Sequence, residues 1–220
     1  MYPLSKAWDW KLSADRVWLT PSEESYYLAA RWKDRGFTEF LDFGCGLGRH
    51  SILFARQGFR VSAFDLSPDA VSHTNQWAER ENLQISVQQS DMHGVPYADQ
   101  AFDCLLGMHV IQHTDTGGIN IILREIHRIL KPGAEFFITL LSKESWRTGV
   151  FSSKIDENTL LKAEDGPEKN VPHFFADMED ILKLTDGAGL RPIRIRHGVD
   201  CYPVEAMQPN WHYFILGSRD

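Results

Sequence analysis

Residues 41–67 read LDFGCGLGRHSILFARQGFRVSAFDLS, and this stretch decides the fold. The short run Glu39–Phe43 reads as a strand that stops abruptly at Gly44, Cys45, Gly46, Leu47 and Gly48. A helical pattern follows through Gln57 and is broken by Gly58. A second strand, residues 60–64, ends on Asp65. Glycines let a backbone turn sharply and approach a ligand with no Cβ in the way. An acid at the tip of the second strand can accept hydrogen bonds from both ribose hydroxyls of an adenosine. Strand, glycine turn, helix, strand and acid together imply an adenosine-containing cofactor.

Glycine spacing narrows the choice. The dinucleotide fingerprint is G-x-G-x-x-G, whose turn and helix N-terminus receive a pyrophosphate. Here the glycines fall as G-x-G-x-G, with Arg49 where the third glycine of that pattern would stand. No Gly-Lys-Ser/Thr follows, so a P-loop is excluded. Residues 41–48 instead resemble the first motif of class I S-adenosylmethionine-dependent methyltransferases. That resemblance implies that Asp42, Gly44, Cys45, Gly46 and Gly48 form the loop at the methionyl end. It further implies that Asp65 holds the ribose, with Leu66 and Ser67 beside it. Ser90, Asp91 and Met92 follow the strand-like run Ile85–Gln89. In the family this place carries an acid for the adenine amine and an apolar side chain on the ring, and Asp91, Met92 and His93 match it. Residues 102–108 match the fourth strand with its leading Phe-Asp, and imply Gly107 and Met108 on the sulfur side. Residues 124–133, REIHRILKPG, resemble the helix end before the family's fifth strand.

The patterning agrees. Ile121, Ile122, Glu125, Ile126 and Ile129 fall on one helical face, and Lys131, Pro132 and Gly133 stop the helix. Residues 136–141 read as a buried strand. Near the C-terminus Ile193, Ile195, His197 and Val199 alternate with Arg194 and Arg196, and residues 211–216 give one more strand. Alternating strands and helices imply a parallel sheet covered on both faces. The expected fold is α/β and Rossmann-like: seven strands in order 3-2-1-4-5-7-6, strand 7 antiparallel, in a single domain over residues 1–220. The 220 residues, 43% hydrophobic and 24% charged, suit one such core.

Net charge is −7, with no basic run, which argues against gripping a phosphate backbone. No apolar run approaches the roughly 18 residues of a membrane span, and no basic-then-apolar leader follows Met1. The expected partner is a small soluble molecule, with neither nucleic acid nor membrane, in the cytoplasm. The sequence leaves the oligomeric state open. Cys45, Cys104 and Cys201 show no C-x-x-C spacing, so zinc-finger and redox chemistry are not indicated. Cys45 reads as packing within the glycine loop.

Two segments remain for the acceptor. In residues 1–36, Thr20, Pro21, Ser22 and Glu23 read as N-cap, first-turn proline and capping box of a helix running to about Asp34. Ahead of it, Trp8 and Trp10 either fold over the cofactor as a water-excluding lid or pack on the body as anchors, and Trp18 reads as packing. Residues 142–172 form a long polar connection after a strand's carboxyl end, where α/β sheets bind ligands. It carries Trp146 and ends near His173. Residues 166–175 resemble the same region of small-molecule methyltransferases of the tellurite-resistance and thiopurine branches. A helix opened by Asp177 follows.

Methyl transfer from a sulfonium is an in-line displacement with a neutral leaving group, so most of the help is positioning. A thiolate or halide needs no base, whereas an amine or hydroxyl does. His113 is the candidate base, with His109 beside it, both after the fourth strand. His109 and His113 are four apart, a spacing open to metal, but Val110 stands where the metalloprotease pattern has glutamate. With no acid evident as a third ligand, no metal is expected. Trp8, Trp10, His109, Trp146 and His173 are the candidate acceptor contacts. A carrier that binds S-adenosylmethionine or S-adenosylhomocysteine without transfer is the alternative, and a nucleotide-binding oxidoreductase is a third reading.

Overall fold

The structure is a computed structural model and describes residues 2–13, 16–146, 151–200 and 210–220. Cys201 and residues 147–150 of the expected connection lie outside them. In chain order the elements are α1 (Glu23–Asp34), β1 (Glu39–Phe43), α2 (Arg49–Arg56), β2 (Arg60–Asp65), α3 (Pro68–Arg80), β3 (Ile85–Gln89), β4 (Phe102–Gly107) and α4 (Thr116–Ile129). Then come β5 (Leu130–Ser142), β6 (Phe151–Asp156), β7 (Thr159–Lys162), β8 (Pro172–Ala176), α5 (Met178–Gly187), β9 (Leu190–Asp200) and β10 (Asn210–Arg219).

Strands β3-β2-β1-β4-β5 run parallel in that order. β10 lies antiparallel along β5, from Ser218 opposite Glu135 to His212 opposite Leu141, and β9 pairs antiparallel with β10. This is the expected order, with β9 and β10 as the closing hairpin. The 142–172 segment adds three strands. β5 forks at its end: Leu141 and Ser142 pair with Phe175 and Ala176 of β8, which carries β7 and then β6 antiparallel.

Period-two alternation divides the core. On one face of the sheet Leu41, Leu105, Ile138 and Ile215 meet Ile122, Ile126 and Ile129 of α4. On the other, Phe40, Leu106, Phe137 and Phe214 meet Leu28 and Trp32 of α1 and Phe54 of α2. The fully buried Glu135 of β5 stands among the second group. It accepts hydrogen bonds from Arg31 Nε and Nη2 at 2.8 and 2.7 Å, Trp32 Nε1 at 2.9 Å and Arg35 Nη1 at 2.9 Å, which ties α1 to the sheet.

Three local readings are corrected. α1 begins at Glu23 with Ser22 as N-cap and no capping box, because the Thr20 hydroxyl donates back to Arg16 O. Ile121 is exposed, and α4 buries Ile119 and Leu123 instead. On β9, Ile193 and Val199 are exposed, because the strand lies at the sheet's edge and only Ile195 packs on the core. Asp177 does open α5, through a reciprocal capping box with Asp180.

Candidate active site

The parallel strands end at one edge, and a crevice of about 850 Å³, its mouth to solvent included, opens there. Its floor is the turn after β1. Gly44 and Gly46 have φ of +75° and +53°. A Cβ on Gly44 would lie 2.3 Å from Val110 Cγ2, and one on Gly46 would lie 2.9 Å from the Trp10 ring. Only glycine fits either position without displacing the wall. Cys45 N–H donates to Phe64 O at 2.8 Å, which locks the turn onto β2. The Cys45 thiol is pushed well above its ordinary range by burial, so it is an inert packing group.

Asp65 organises this corner. Its Oδ2 accepts Gly46 N–H and its Oδ1 accepts Ser67 N–H, both at 2.9 Å. Burial pushes its carboxyl up, against those bonds. The neighbouring wall is Leu66, Ser90, Asp91 and Met92. Asp91 already has partners: Tyr2 N–H at 2.8 Å on Oδ2, and His93 N–H at 3.1 Å and Nδ1 at 2.6 Å on Oδ1. Burial opposes its ionisation, but bonds from Ser5, His93 and Tyr2 outweigh that and hold the carboxyl down at about 2. His93 is set behind the wall, stacked on Tyr2 with centroids 4.1 Å apart and bonded to Thr114 Oγ1 at 2.8 Å.

The roof comes from the N-terminal segment. Trp8, Trp10 and Trp18 pack on one another with centroids 4.9 to 5.9 Å apart, and all three line the crevice. The lid and anchor readings merge, since the rings anchor each other while covering the turn. Asp9 N–H donates to Pro167 O at 3.1 Å, so the roof is tied to the segment before β8.

The far wall is Met108, His109, Val110 and His113. His109 is strained, with φ +55°, and its N–H donates to Thr139 Oγ1 at 2.7 Å. Burial, with His212 adding to it, pushes the His109 imidazole well below its usual range. Burial also lowers His113, although Glu168 opposes this. Both rings are therefore neutral near pH 7.

Asp42, Gly48, Ser67, His93 and Gly107 do not line the crevice; they brace it. Ser51 Oγ donates to the buried Asp42 Oδ2 at 2.6 Å, pinning α2 to β1. Trp146 was expected at the acceptor but packs on Phe175 beside Leu141 and Leu160, away from the crevice. His173 sits behind His113, ring centroids 4.9 Å apart. The sequence reading missed Arg49, His50 and residues 5–7, which line the crevice. Arg49 donates to Val17 O at 2.6 Å and stacks over Trp18, bracing the roof. Its place at the start of α2 was the available signal. Glu168 was missed too: it stands 3.3 Å from His113 Nε2 and 3.4 Å from His173 Nε2, so His173 and not His109 shares an acid with His113.

A family model described as a methyltransferase domain matches residues 40–133, which hold the turn, Asp65, Asp91 and the far wall. Over these residues the chain is similar to methyltransferase domains, and its fold is that of class I S-adenosylmethionine-dependent methyltransferases. The family's cofactor is S-adenosylmethionine, which leaves as S-adenosylhomocysteine. The chain is similar to a norajmaline N-methyltransferase of Rauvolfia serpentina, 30% identical over 125 residues, 56% of this chain and 42% of that protein. It is also similar to a malonyl-[acyl-carrier protein] O-methyltransferase of Enterobacter lignolyticus, 30% identical over 144 residues, 62% and 54% of the two. The chain thus spans about half the length of the curated relatives it matches. In fold it resembles a SAM-dependent methyltransferase from Methanosarcina mazei, with TM-score 0.71, 17% identity, and 82% and 92% of the two chains covered. No helix among the described residues is long and apolar enough to cross a membrane.

Proposed function

We propose that this protein transfers the methyl group of S-adenosylmethionine to a small molecule held beneath the tryptophan roof. The observation that carries the reading is the crevice itself. One acid, Asp65, is locked to the glycine turn at one end, and aromatic rings and neutral imidazoles face each other at the other. The residues fit the cofactor. Asp65 has lone-pair capacity left for ribose hydroxyls beyond the backbone N–H groups of Gly46, Leu66 and Ser67, since a carboxylate offers about four lone-pair sites. The turn at Gly44–Gly46 receives the methionyl chain, and Leu66, Asp91 and Met92 frame the adenine. Met108 stands on the sulfur side. Bound there, S-adenosylmethionine supplies an electrophilic methyl on a sulfonium whose departure needs no stabilised anion.

The chain's own residues then have three tasks. Trp8, Trp10 and Trp18 exclude water and hold the acceptor in line, which supplies most of the rate. His109 or His113 takes the proton released by an amine or hydroxyl. A thiolate needs neither. The roof is tied to the segment before β8 by Asp9 and by a bond from Lys6 Nζ to Lys169 O, which favours acceptors small enough to be enclosed. The relatives named above act on nitrogen and on oxygen, so the panel below spans acceptor atoms.

The test is transfer of radiolabelled methyl from S-adenosylmethionine to thiols, selenite and tellurite, halides, amines, catechols, carboxylic acids and quinone precursors. Label in one pool identifies the acceptor atom. Tight S-adenosylhomocysteine binding with no label in any pool would overturn the small-molecule reading in favour of a non-catalytic carrier.

A further inference from the structure

We propose that His113, Glu168 and His173 form a zinc-binding site in the wall of the crevice. The fold assembles them from three places: His113 follows β4, Glu168 lies in the turn before β8, and His173 is on β8. Backbone bonds hold the assembly, from Phe174 N–H to Gln112 O at 2.8 Å and from Val171 N–H to Glu168 O at 2.9 Å. Their coordinating atoms all lie within 4.8 Å of one another, the one such group of three among the described residues.

Distances argue for an ion between them. Both imidazoles turn Nε2 toward the same carboxylate oxygen, Glu168 Oε1, at 3.3 Å from His113 and 3.4 Å from His173. A charge-assisted hydrogen bond closes to about 2.7–2.9 Å. Ligands held tetrahedrally about 2.0–2.1 Å from zinc stand about 3.3–3.4 Å apart, whereas an octahedral arrangement at that radius brings them to about 3.0 Å. The two histidine–glutamate spacings match the tetrahedral edge, and the third pair of atoms lies within 4.8 Å.

The surroundings fit as well. His173 Nδ1 is 2.9 Å from Val171 O and donates to it, which orients the ring with Nε2 toward Glu168 Oε1. A backbone carbonyl on the distal nitrogen is also the usual support of a metal-bound imidazole. The second carboxylate oxygen, Oε2, is held by Lys162 Nζ, which leaves Oε1 as a single ligand atom. The group is shielded, with side-chain exposures of 12% for His113, 18% for Glu168 and 4% for His173.

Two histidines and one glutamate are the donor set of zinc sites that keep a fourth position for an exchangeable ligand. His113 lines the crevice and its ring lies 5.9 Å from Trp8. The fourth position therefore serves water or the anionic oxygen or sulfur of a molecule under the roof. His113 is then a ligand, and His109 is the imidazole left to take a proton. Zinc binding stands without the methyl-transfer reading; its service to an acceptor rests on that reading.

The test uses the full chain, stripped with chelator and dialysed. Zn²⁺ is titrated calorimetrically, and Co²⁺ is followed by the visible absorption of tetrahedral cobalt. The expected result is one ion per chain with tetrahedral bands. Glu168→Gln and His173→Gln should each weaken binding at least tenfold while circular dichroism shows a folded protein. If His173→Gln fails to fold, Glu168→Gln alone decides. No stoichiometric binding, or binding that either folded variant leaves unchanged, overturns the site. S-adenosylhomocysteine affinity is measured on the same samples: retained affinity without metal binding removes zinc alone, and metal binding without affinity removes the cofactor reading alone.

Discussion

Replacing Asp65 with alanine tests the cofactor corner most directly. The carboxylate accepts Gly46 N–H and Ser67 N–H at 2.9 Å each and is the acid facing the place assigned to the ribose. Two ribose hydroxyls on a carboxylate contribute about 1.5–3 kcal/mol each when the acceptor is charged and sheltered. Their loss should weaken S-adenosylhomocysteine binding by about 3–6 kcal/mol, roughly two to four orders of magnitude in Kd. The same change leaves the backbone donors of Gly46, Leu66 and Ser67 without their acceptor, which costs stability whether or not ligand binds. Calorimetric titration of S-adenosylhomocysteine, run beside thermal unfolding of the ligand-free protein, separates the two effects. A folded variant with lowered Tm and unchanged affinity would refute the ribose assignment and leave Asp65 a structural brace. A variant that binds about a hundredfold more weakly, with only a modest loss in Tm, supports it.

Three further outcomes follow from the geometry. Burial pushes the Asp42 carboxyl up to about 6 although Ser51 bonds to it. The folded protein therefore holds that proton between about pH 4 and 6 while the unfolded chain loses it, and stability falls as pH rises through that window, by about 3 kcal/mol in total. Asp42→Asn, which keeps an acceptor for Ser51, should stabilise the protein at pH 8 and hardly at pH 4; an equal change in Tm at both would contradict this. Burial alone would raise Glu135, but Arg31, Trp32 and Arg35 outweigh it and hold the carboxyl below the usual range, so its contribution is lost only in acid. Glu135→Ala leaves Arg31 and Arg35 without their buried partner and should cost about 3–5 kcal/mol at neutral pH by urea unfolding. Deleting residues 1–18 should preserve cooperative unfolding while impairing transfer, because no described residue of this segment belongs to a core cluster; loss of cooperative folding would make them core.

Much of the sheet was legible because its strands are short apolar runs with hard stops. β1 ends where Gly44 turns left-handed, β2 ends on an acid, and α4 ends before Pro132. These are local signals, carried by residues adjacent in sequence. The capping box at Thr20 misled because the same hydroxyl had a nearer acceptor in Arg16 O. β6 and β7 were read as connection because Ser153, Lys154 and Asp156 carry little apolar alternation; their pairing comes from the β8 hairpin they join. In the crevice, the turn and Asp65 were readable from spacing. The roof, the burial of His173 and the arrival of Glu168 were not, since each depends on contacts between segments far apart in the chain. Tyr2 on Asp91 spans 89 positions, and no periodicity announces such a bond.

The fork at the end of β5 makes the molecule separable in an engineering sense. The β6–β8 unit joins the main sheet through two residue pairs, Leu141 with Phe175 and Ser142 with Ala176. The glycine turn, Asp65 and the strands that carry them lie on the opposite side of β5. A graft that exchanges residues 143–174 for another hairpin would remove Glu168 and His173 together while leaving every backbone ladder of β1 to β5 in place. The fold thus offers a cassette boundary: one half can be held constant while libraries of the other are screened for new acceptors.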